Sequence, residues 1–405
     1  MVHQMIPTNS NPAPRASSSN SVMASSWAVG CVALIVGMLA GCGSAPRQYP
    51  SEPAPVAKPV PGAVPAPAAS VPVPSPGSPK GRWVPTAWTD LPGFEEDNLF
   101  EAWNAWIKSC ERPVPPFASL CGEVRRLSIG TAQQQRDWMR QTFQPQRLES
   151  SQGESTGLLT GYFEPMLEAS RLPSATFSVP IYQVPRNLAQ RKPWYSRREI
   201  DTLPEAQAAL RDRVIAYVAD PLDALVLQIQ GSGRLRVAQG DGSSRLLRVA
   251  YAGTNDQPYR SVGRWLLDQG LIKDATWPGI KAWLAQNPQR LQEALWSNPR
   301  YTFFKEEAMS ELDAAFGPKG AQGVALTPGR SIAVDAAGSI PYGTPVWLVS
   351  AGSQVRLQRL VLAQDTGSAI TGAVRADYFA GWGQEAQDLA GRLRQPLQMW
   401  VIWPK

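Results

Sequence analysis

From Ala45 to Lys80 the chain is proline, alanine, valine and serine with little else, and 12 of those 36 residues are proline. Such a tract cannot bury enough apolar surface to fold and prefers an extended polyproline helix, rising about 3.1 Å per residue. Fully extended it would reach about 110 Å. Any core must therefore come from the residues C-terminal to it, beginning near Gly81-Arg82-Trp83. That remainder is long enough for about two domains of 100–200 residues.

The body changes character along its length. Residues 95–147 read as mainly helical: Leu99, Trp103, Trp106 and Ile107 recur at helical spacing, as do Trp138 and Phe143 after a polar run. From Leu158 onward short β-branched and aromatic runs alternate with Gly/Pro turns. Phe177–Tyr182, Ala224–Gln230 and Leu246–Tyr251 read as strands. Residues 259–270 and 278–296 return to helical periodicity. After Tyr301 the pattern is β again, in Ser331–Asp335, Thr344–Val349, Leu360–Gln364 and Leu397–Trp403. Many short strands with frequent turns predict a barrel rather than a doubly wound sheet.

Ahead of the tract, residues 27–40 form an uninterrupted apolar run. It is too short to span a bilayer, which takes about 20 residues, and suits a signal-peptide h-region. Leu39-Ala40-Gly41-Cys42 comes at once after it and resembles the bacterial lipobox. That resemblance implies cleavage before Cys42, a lipid on Cys42, and a tether from 42 to 81. Gly43, rather than aspartate, implies sorting to the periplasmic face of the outer membrane. Cleavage would also remove His3, the only histidine, so His-dependent triads and His-ligated metals are excluded from the mature chain. Cys110 and Cys121 would remain in an oxidising compartment, where a disulfide is favoured over two buried thiols.

The segment richest in possible chemistry is Leu362 to Gly383. A strand ends at Asp365, a small-residue loop comes next, and Asp377 heads an aromatic-glycine stretch. Two carboxylates flanking a Gly-rich turn suit glycosidic acid–base work. Each has a plainer reading: Asp365 closes its strand by bonding backbone N–H groups, and Asp377 pairs with Arg375. Asp365-Thr366-Gly367 matches the aspartic-protease triplet, but that chemistry needs two triplets and only one is present. Gly231-Ser232-Gly233 fits neither a nucleophile elbow nor a phosphate loop. Gly317–Gly323 reads as an ordinary loop. The 15 tryptophans are core residues or platforms for sugar rings. A net charge of +6 is mild, and the basic residues form no nucleic-acid motif, yet it suits an acidic polymer.

Seven ordered motifs then carry a resemblance. They are TGYFEP (Thr160–Pro165), DPLDALVLQIQGSGRL (Asp220–Leu235), YAGTNDQPYRSVGRWL (Tyr251–Leu266) and NPRYTFF (Asn298–Phe304), then LTPGRSIAVD (Leu326–Asp335), IPYGTPVWL (Ile340–Leu348) and QDTGSAITGAVRADYFAGWG (Gln364–Gly383). Over roughly 82–403 the chain resembles the membrane-bound lytic murein transglycosylase A family, outer-membrane lipoproteins that cleave peptidoglycan. The resemblance implies a mainly β fold with helical segments. A double-psi β-barrel would be built from 82–166 and 304–405, and a smaller β-rich domain, 167–303, would be inserted and form the other wall of a glycan groove.

By the same resemblance the single catalytic acid is Asp377, with Asp365 beside it shaping the site. Thr160, Gly161, Tyr162, Gln230, Gly231 and Ser232 match positions lining the groove. Asp377 would protonate the β-1,4 bond from N-acetylmuramic acid to N-acetylglucosamine, then take the proton from the muramyl C6 hydroxyl as 1,6-anhydromuramic acid forms. That chemistry calls for no metal or organic cofactor. The partners implied are glycan strands, the outer membrane and complexes of cell-wall synthesis or division. Two rivals stand: a water-using glycan hydrolase on the same barrel, and a non-catalytic peptidoglycan-binding lipoprotein.

Overall fold

The computed structural model describes residues 80–353 and 355–405. The expected signal segment 1–41, Cys42 and the tether up to residue 79 lie outside the described residues. Along the chain, β1 (Gly81–Pro85) is followed by helices Leu99–Ser109, Cys121–Arg126 and Ala132–Thr142, then β2 (Phe143–Ser150) and β3 (Gly157–Glu164). Next come β4 (Met166–Ser170), β5 (Val179–Tyr182), β6 (Val214–Val218), β7 (Ser232–Ala238), β8 (Ser244–Thr254) and β9 (Thr302–Ala308), and finally β10 (Ser331–Val334), β11 (Pro345–Ala351), β12 (Arg356–Asp365), β13 (Arg375–Trp382) and β14 (Arg394–Pro404). Among the described residues no helix is long and apolar enough to cross a membrane.

The strands fall into two sheets. The first runs β1-β2-β14-β11-β12-β10-β13-β3, and a further pairing of β14 with β3 closes six of these strands into a barrel. Long β14 makes closure possible by dividing one edge: Arg394–Leu397 pair with β3 and Trp400–Pro404 with β2. Two pairs in the ring are parallel, β10 with β12 and β13 with β3. Inward-facing Leu159, Ile332, Val346, Val361, Leu397 and Val401 fill the barrel. Alternation along each strand puts one side chain in two on that inner face.

The second sheet, β5-β6-β4-β7-β8-β9, is threaded between β3 and β10. A bridge from Gln183 to Phe304 curls its first strand toward its last. Its core is Ile181, Val218, Leu227, Leu235, Val249 and Phe304. The barrel with an inserted β-rich domain expected from the sequence is thus the fold observed.

Two local readings need correction. Ala224–Gln230 is the body of a helix, Pro221–Gln230, not a strand. Asp220 caps it through Leu222 N–H, Pro221 takes the first turn, and Gly231 ends it at φ 81°. Its apolar run has no strand-like alternation because the helix is buried on most sides, with Leu222, Ala224, Leu225, Val226 and Leu227 all in cores. Residues 143–147, read as the end of a helical region, begin β2. Phe143 still belongs to the helical layer's core, beside Trp103, Trp106 and Trp138.

That helical layer packs on the barrel around Trp103, Trp106, Trp347 and Trp400. Cys110 and Cys121 are joined in a disulfide there, with Cα atoms 5.6 Å apart. Buried Arg330, entering β10, donates to both carboxyl oxygens of Asp97 at 2.7 and 2.8 Å and pins the layer to the barrel.

Candidate active site

One register row across the barrel sets the site. Asp377 on β13 lies opposite Ala333 on β10 and Thr160 on β3. Thr160 in turn lies opposite Arg394 on β14, and Ala333 opposite Asp365 at the end of β12. Neighbours in such a row share a face. The two carboxylates therefore rise on the same face with an alanine between them. A bulge between Ile332 and Ala333 brings Asp365 into the row.

Each carboxylate is held differently. Asp377 accepts one hydrogen bond, from Thr160 Oγ1 to Oδ1 at 2.5 Å. Thr160 Oγ1 itself accepts from Arg375 Nη2 at 2.8 Å. Asp365 accepts three: Thr366 N–H at 2.9 Å and Ala321 N–H at 3.0 Å on Oδ1, and the Tyr162 hydroxyl at 3.0 Å on Oδ2. Burial, helped by the nearby Asp377 charge, pushes the Asp365 carboxyl up to about 6 against these donors. Burial also raises Asp377, opposed by the Thr160 hydroxyl and the Arg375 charge. Burial and the two carboxylates push the Tyr162 phenol well above its usual value, so it remains a donor.

The carboxylates open into a cleft of about 1160 Å³ between the barrel and the inserted sheet. Thr160, Gly161, Tyr162, Gln230, Gly231, Ser232, Asp365 and Asp377 all line it. Gln230 ends the buried helix and accepts from Phe163 N–H at 3.0 Å, which ties the insert to β3 beside the site. At Gly161 a Cβ would lie 2.8 Å from Ala390 Cα, so glycine there lets the helix Gln384–Arg392 pack against β3. Cys110 and Cys121 lie away from the cleft, and Cys42 lies outside the described residues.

Several participants were not legible beforehand. Arg375 does not bond Asp377 directly; its fork reaches Thr160 instead. The Gly317–Gly323 segment is more than a connector, since Ala321 N–H holds Asp365 and Lys319 lines the cleft. Arg300 from the insert reaches across to the Ser368 hydroxyl. The only available signal was the two-residue spacing that puts Arg375 on the same strand face as Asp377. Of the tryptophans, only Trp277 lines the cleft among the described residues, and the core reading holds for most others. Among the described residues no group of three His, Cys, Asp or Glu side chains could hold a metal ion.

A barrel with an inserted domain, and a cleft between them lined by two carboxyls, Asp365 and Asp377, have the general form of an enzyme site. Residues 158–305 match the family model described as the MltA specific insert domain, and residues 330–403 match the 3D domain. The chain is 32% identical over 267 residues to the membrane-bound lytic murein transglycosylase A of Escherichia coli K12, covering 63% of this chain and 68% of that one. Among solved structures, the lytic transglycosylase LtgG of Burkholderia pseudomallei superposes with a TM-score of 0.56 at 39% identity, covering 84% of this chain and all of that one. The E. coli MltA structure with bound chitohexaose superposes at a TM-score of 0.65 with 25% identity, covering 80% and 94%. The chain belongs to the membrane-bound lytic murein transglycosylase A family and is a lytic transglycosylase.

Proposed function

We propose that the protein cleaves the β-1,4 bond between N-acetylmuramic acid and N-acetylglucosamine, with Asp377 as acid and then base. The observation that carries this reading is the unequal load on the two carboxylates. Oδ2 of Asp377 has no hydrogen-bond partner among the described residues and is free to meet a glycosidic oxygen. Both oxygens of Asp365 are occupied by donors, so a proton there would have to reverse the Tyr162 bond.

Protonated Asp377 gives its hydrogen to the glycosidic oxygen as the C1–O bond breaks toward an oxocarbenium-like state. The resulting carboxylate takes the hydrogen from the muramyl C6 hydroxyl, whose oxygen bonds to C1. Asp377 ends as it began, and no water is consumed. An intramolecular nucleophile has a high effective concentration, so a second base is not required. Asp365, held by three donors, positions Tyr162 and the sugar beside it. The chitohexaose in the E. coli relative supports a glycan strand as the occupant of the cleft. The inserted domain, expected over 167–303, supplies the wall opposite the barrel. A lipid on Cys42 and the proline-rich tether would hold this body at the outer membrane.

One observation favours a rival. A carboxyl at about 6 is near the working range of a base that activates water, and Asp365 has that value. Substitution separates the roles. Asp377→Asn should lower turnover of purified murein by about 10²–10⁴-fold while glycan binding survives, because the amide keeps shape but moves no proton. Asp365→Asn should cost less. Near-normal turnover in the Asp377 variant would overturn the assignment.

A further inference from the structure

Behind Asp377 runs a short chain of donors whose polarity is fixed at one end. Arg375 donates Nη2–H to Thr160 Oγ1, and Thr160 Oγ1 lies against Asp377 Oδ1. A guanidinium carries only donor hydrogens and stays charged. The threonine oxygen must therefore accept from Arg375. Its single hydrogen has one acceptor in reach, Oδ1 of Asp377. The rest of the arginine fork donates to backbone, Nη1 to the Ala376 and Leu158 carbonyls, which holds its plane to β13 and β3.

We propose that Arg375 is a positioning residue for the reaction. Through the Thr160 hydroxyl it fixes Oδ1 of Asp377 as an acceptor, so the acid hydrogen resides on Oδ2, the oxygen facing the cleft. The inference rests on the reading of Asp377 as the acid. In the ionised state the same chain stabilises the carboxylate left after the first transfer, because both groups present positive polarity to Oδ1. In the protonated state it prevents the carboxyl from turning its hydrogen inward toward Thr160. The barrel supplies this without extra elements: Arg375 and Asp377 are two apart on β13, and Thr160 is the register partner of Asp377.

The expected signature is a pH profile. The charged or titratable groups about Asp377 are Arg375 on its own strand, Tyr162 on β3, Asp365 on β12, Arg394 two strands away on β14 and Tyr259 from the insert. Of the two arginines, Arg375 is the one whose charge favours the Asp377 carboxylate. Removing it should let Asp377 keep its proton to higher pH. The alkaline limb of kcat/KM, where the acid loses its hydrogen, should move upward.

The test uses the full chain with purified murein, in the variants Arg375→Gln, Arg375→Lys, Thr160→Val, Thr160→Ser and the Arg375→Gln/Thr160→Val double. Arg375→Gln and Thr160→Val should each lower kcat roughly 10- to 100-fold, change KM little and raise the alkaline limb. The double variant should be no slower than the worse single, within about threefold, because both act through one bond to Oδ1. Thr160→Ser, and in part Arg375→Lys, should restore the limb. The inference is overturned if Arg375→Gln leaves the profile in place, or if the two losses multiply. Circular dichroism separates misfolding, and the serine and lysine variants keep the question open to measurement if a larger change unfolds the barrel. An inactive Asp377→Asn beside a normal Arg375→Gln would sink only this inference. An active Asp377→Asn would sink the assignment beneath it.

Discussion

Asp365 shows how one side chain can serve two ends. The sequence offered a choice between a turn-closing residue and a site carboxyl, and its contacts suit both. It bonds Thr366 N–H where β12 stops, and it opens into the cleft beside Tyr162. The combination carries a cost. Its carboxyl is raised from the ordinary 3.8 to about 6, so the folded chain holds a proton that the unfolded chain has released. Stability conferred on the protonated form is complete below about pH 4 and is lost as pH rises toward 6. Asp365→Asn should therefore raise the unfolding temperature relative to the parent above pH 6 and leave it unchanged near pH 4. Thermal scans at the two pH values check this, and a variant less stable at pH 7 would contradict it. What could not be read at this scale was the partner of Asp365 on the other side. Ala321 contributes only a backbone N–H, and backbone donors leave no mark in composition or spacing.

Strands with β-branched and aromatic alternation were legible, and β8, β10, β11, β12 and β14 fall within or across the expected runs. Pro221–Gln230 was not, because a helix buried on most faces loses the 3.6-residue stripe that identifies it. Its terminal signals, Asp220, Pro221 and Gly231, were the better guide. The passage from barrel to insert depends on one residue that the pattern did not single out. Glu164, the last residue of β3, is fully buried and bonds Arg234 of β7 at 2.7 Å and Arg248 of β8 at 2.6 Å. Both guanidiniums also donate to the Phe316 carbonyl, where the chain returns toward the barrel. A buried carboxylate between two arginines joins elements of both sheets. Glu164→Gln removes the charge and leaves two buried cations uncompensated, which should cost about 3–5 kcal/mol. Urea unfolding followed by tryptophan fluorescence would measure it, and a loss under about 1 kcal/mol would show the trio to be incidental.

At the scale of the molecule, function derives from how the chain is interrupted. A barrel that closes on itself through β14 and β3 gives a rigid row carrying Thr160, Asp377, Ala333 and Asp365. Inserting a second sheet directly after β3 places Gln230, Gly231 and Ser232 against the same row and leaves a cleft between the two. The resemblance carried by the ordered motifs implied a groove shared by segments far apart in sequence, Thr160–Pro165 and Gln364–Gly383. They did not announce the Arg375–Thr160 chain or the Arg300–Ser368 contact, which depend on side-chain reach across strands and across the cleft. In the proposed reaction the nucleophile belongs to the substrate, and the second role given to Asp377, as base, depends on that. Digestion of murein in ¹⁸O-labelled water, with mass spectrometry of the released muropeptides, decides the point. The expected products are 1,6-anhydromuramyl ends without ¹⁸O, because the C6 oxygen closes on C1 and Asp377 only carries the proton. Reducing ends bearing one ¹⁸O would contradict this and make Asp365 the base of a hydrolase.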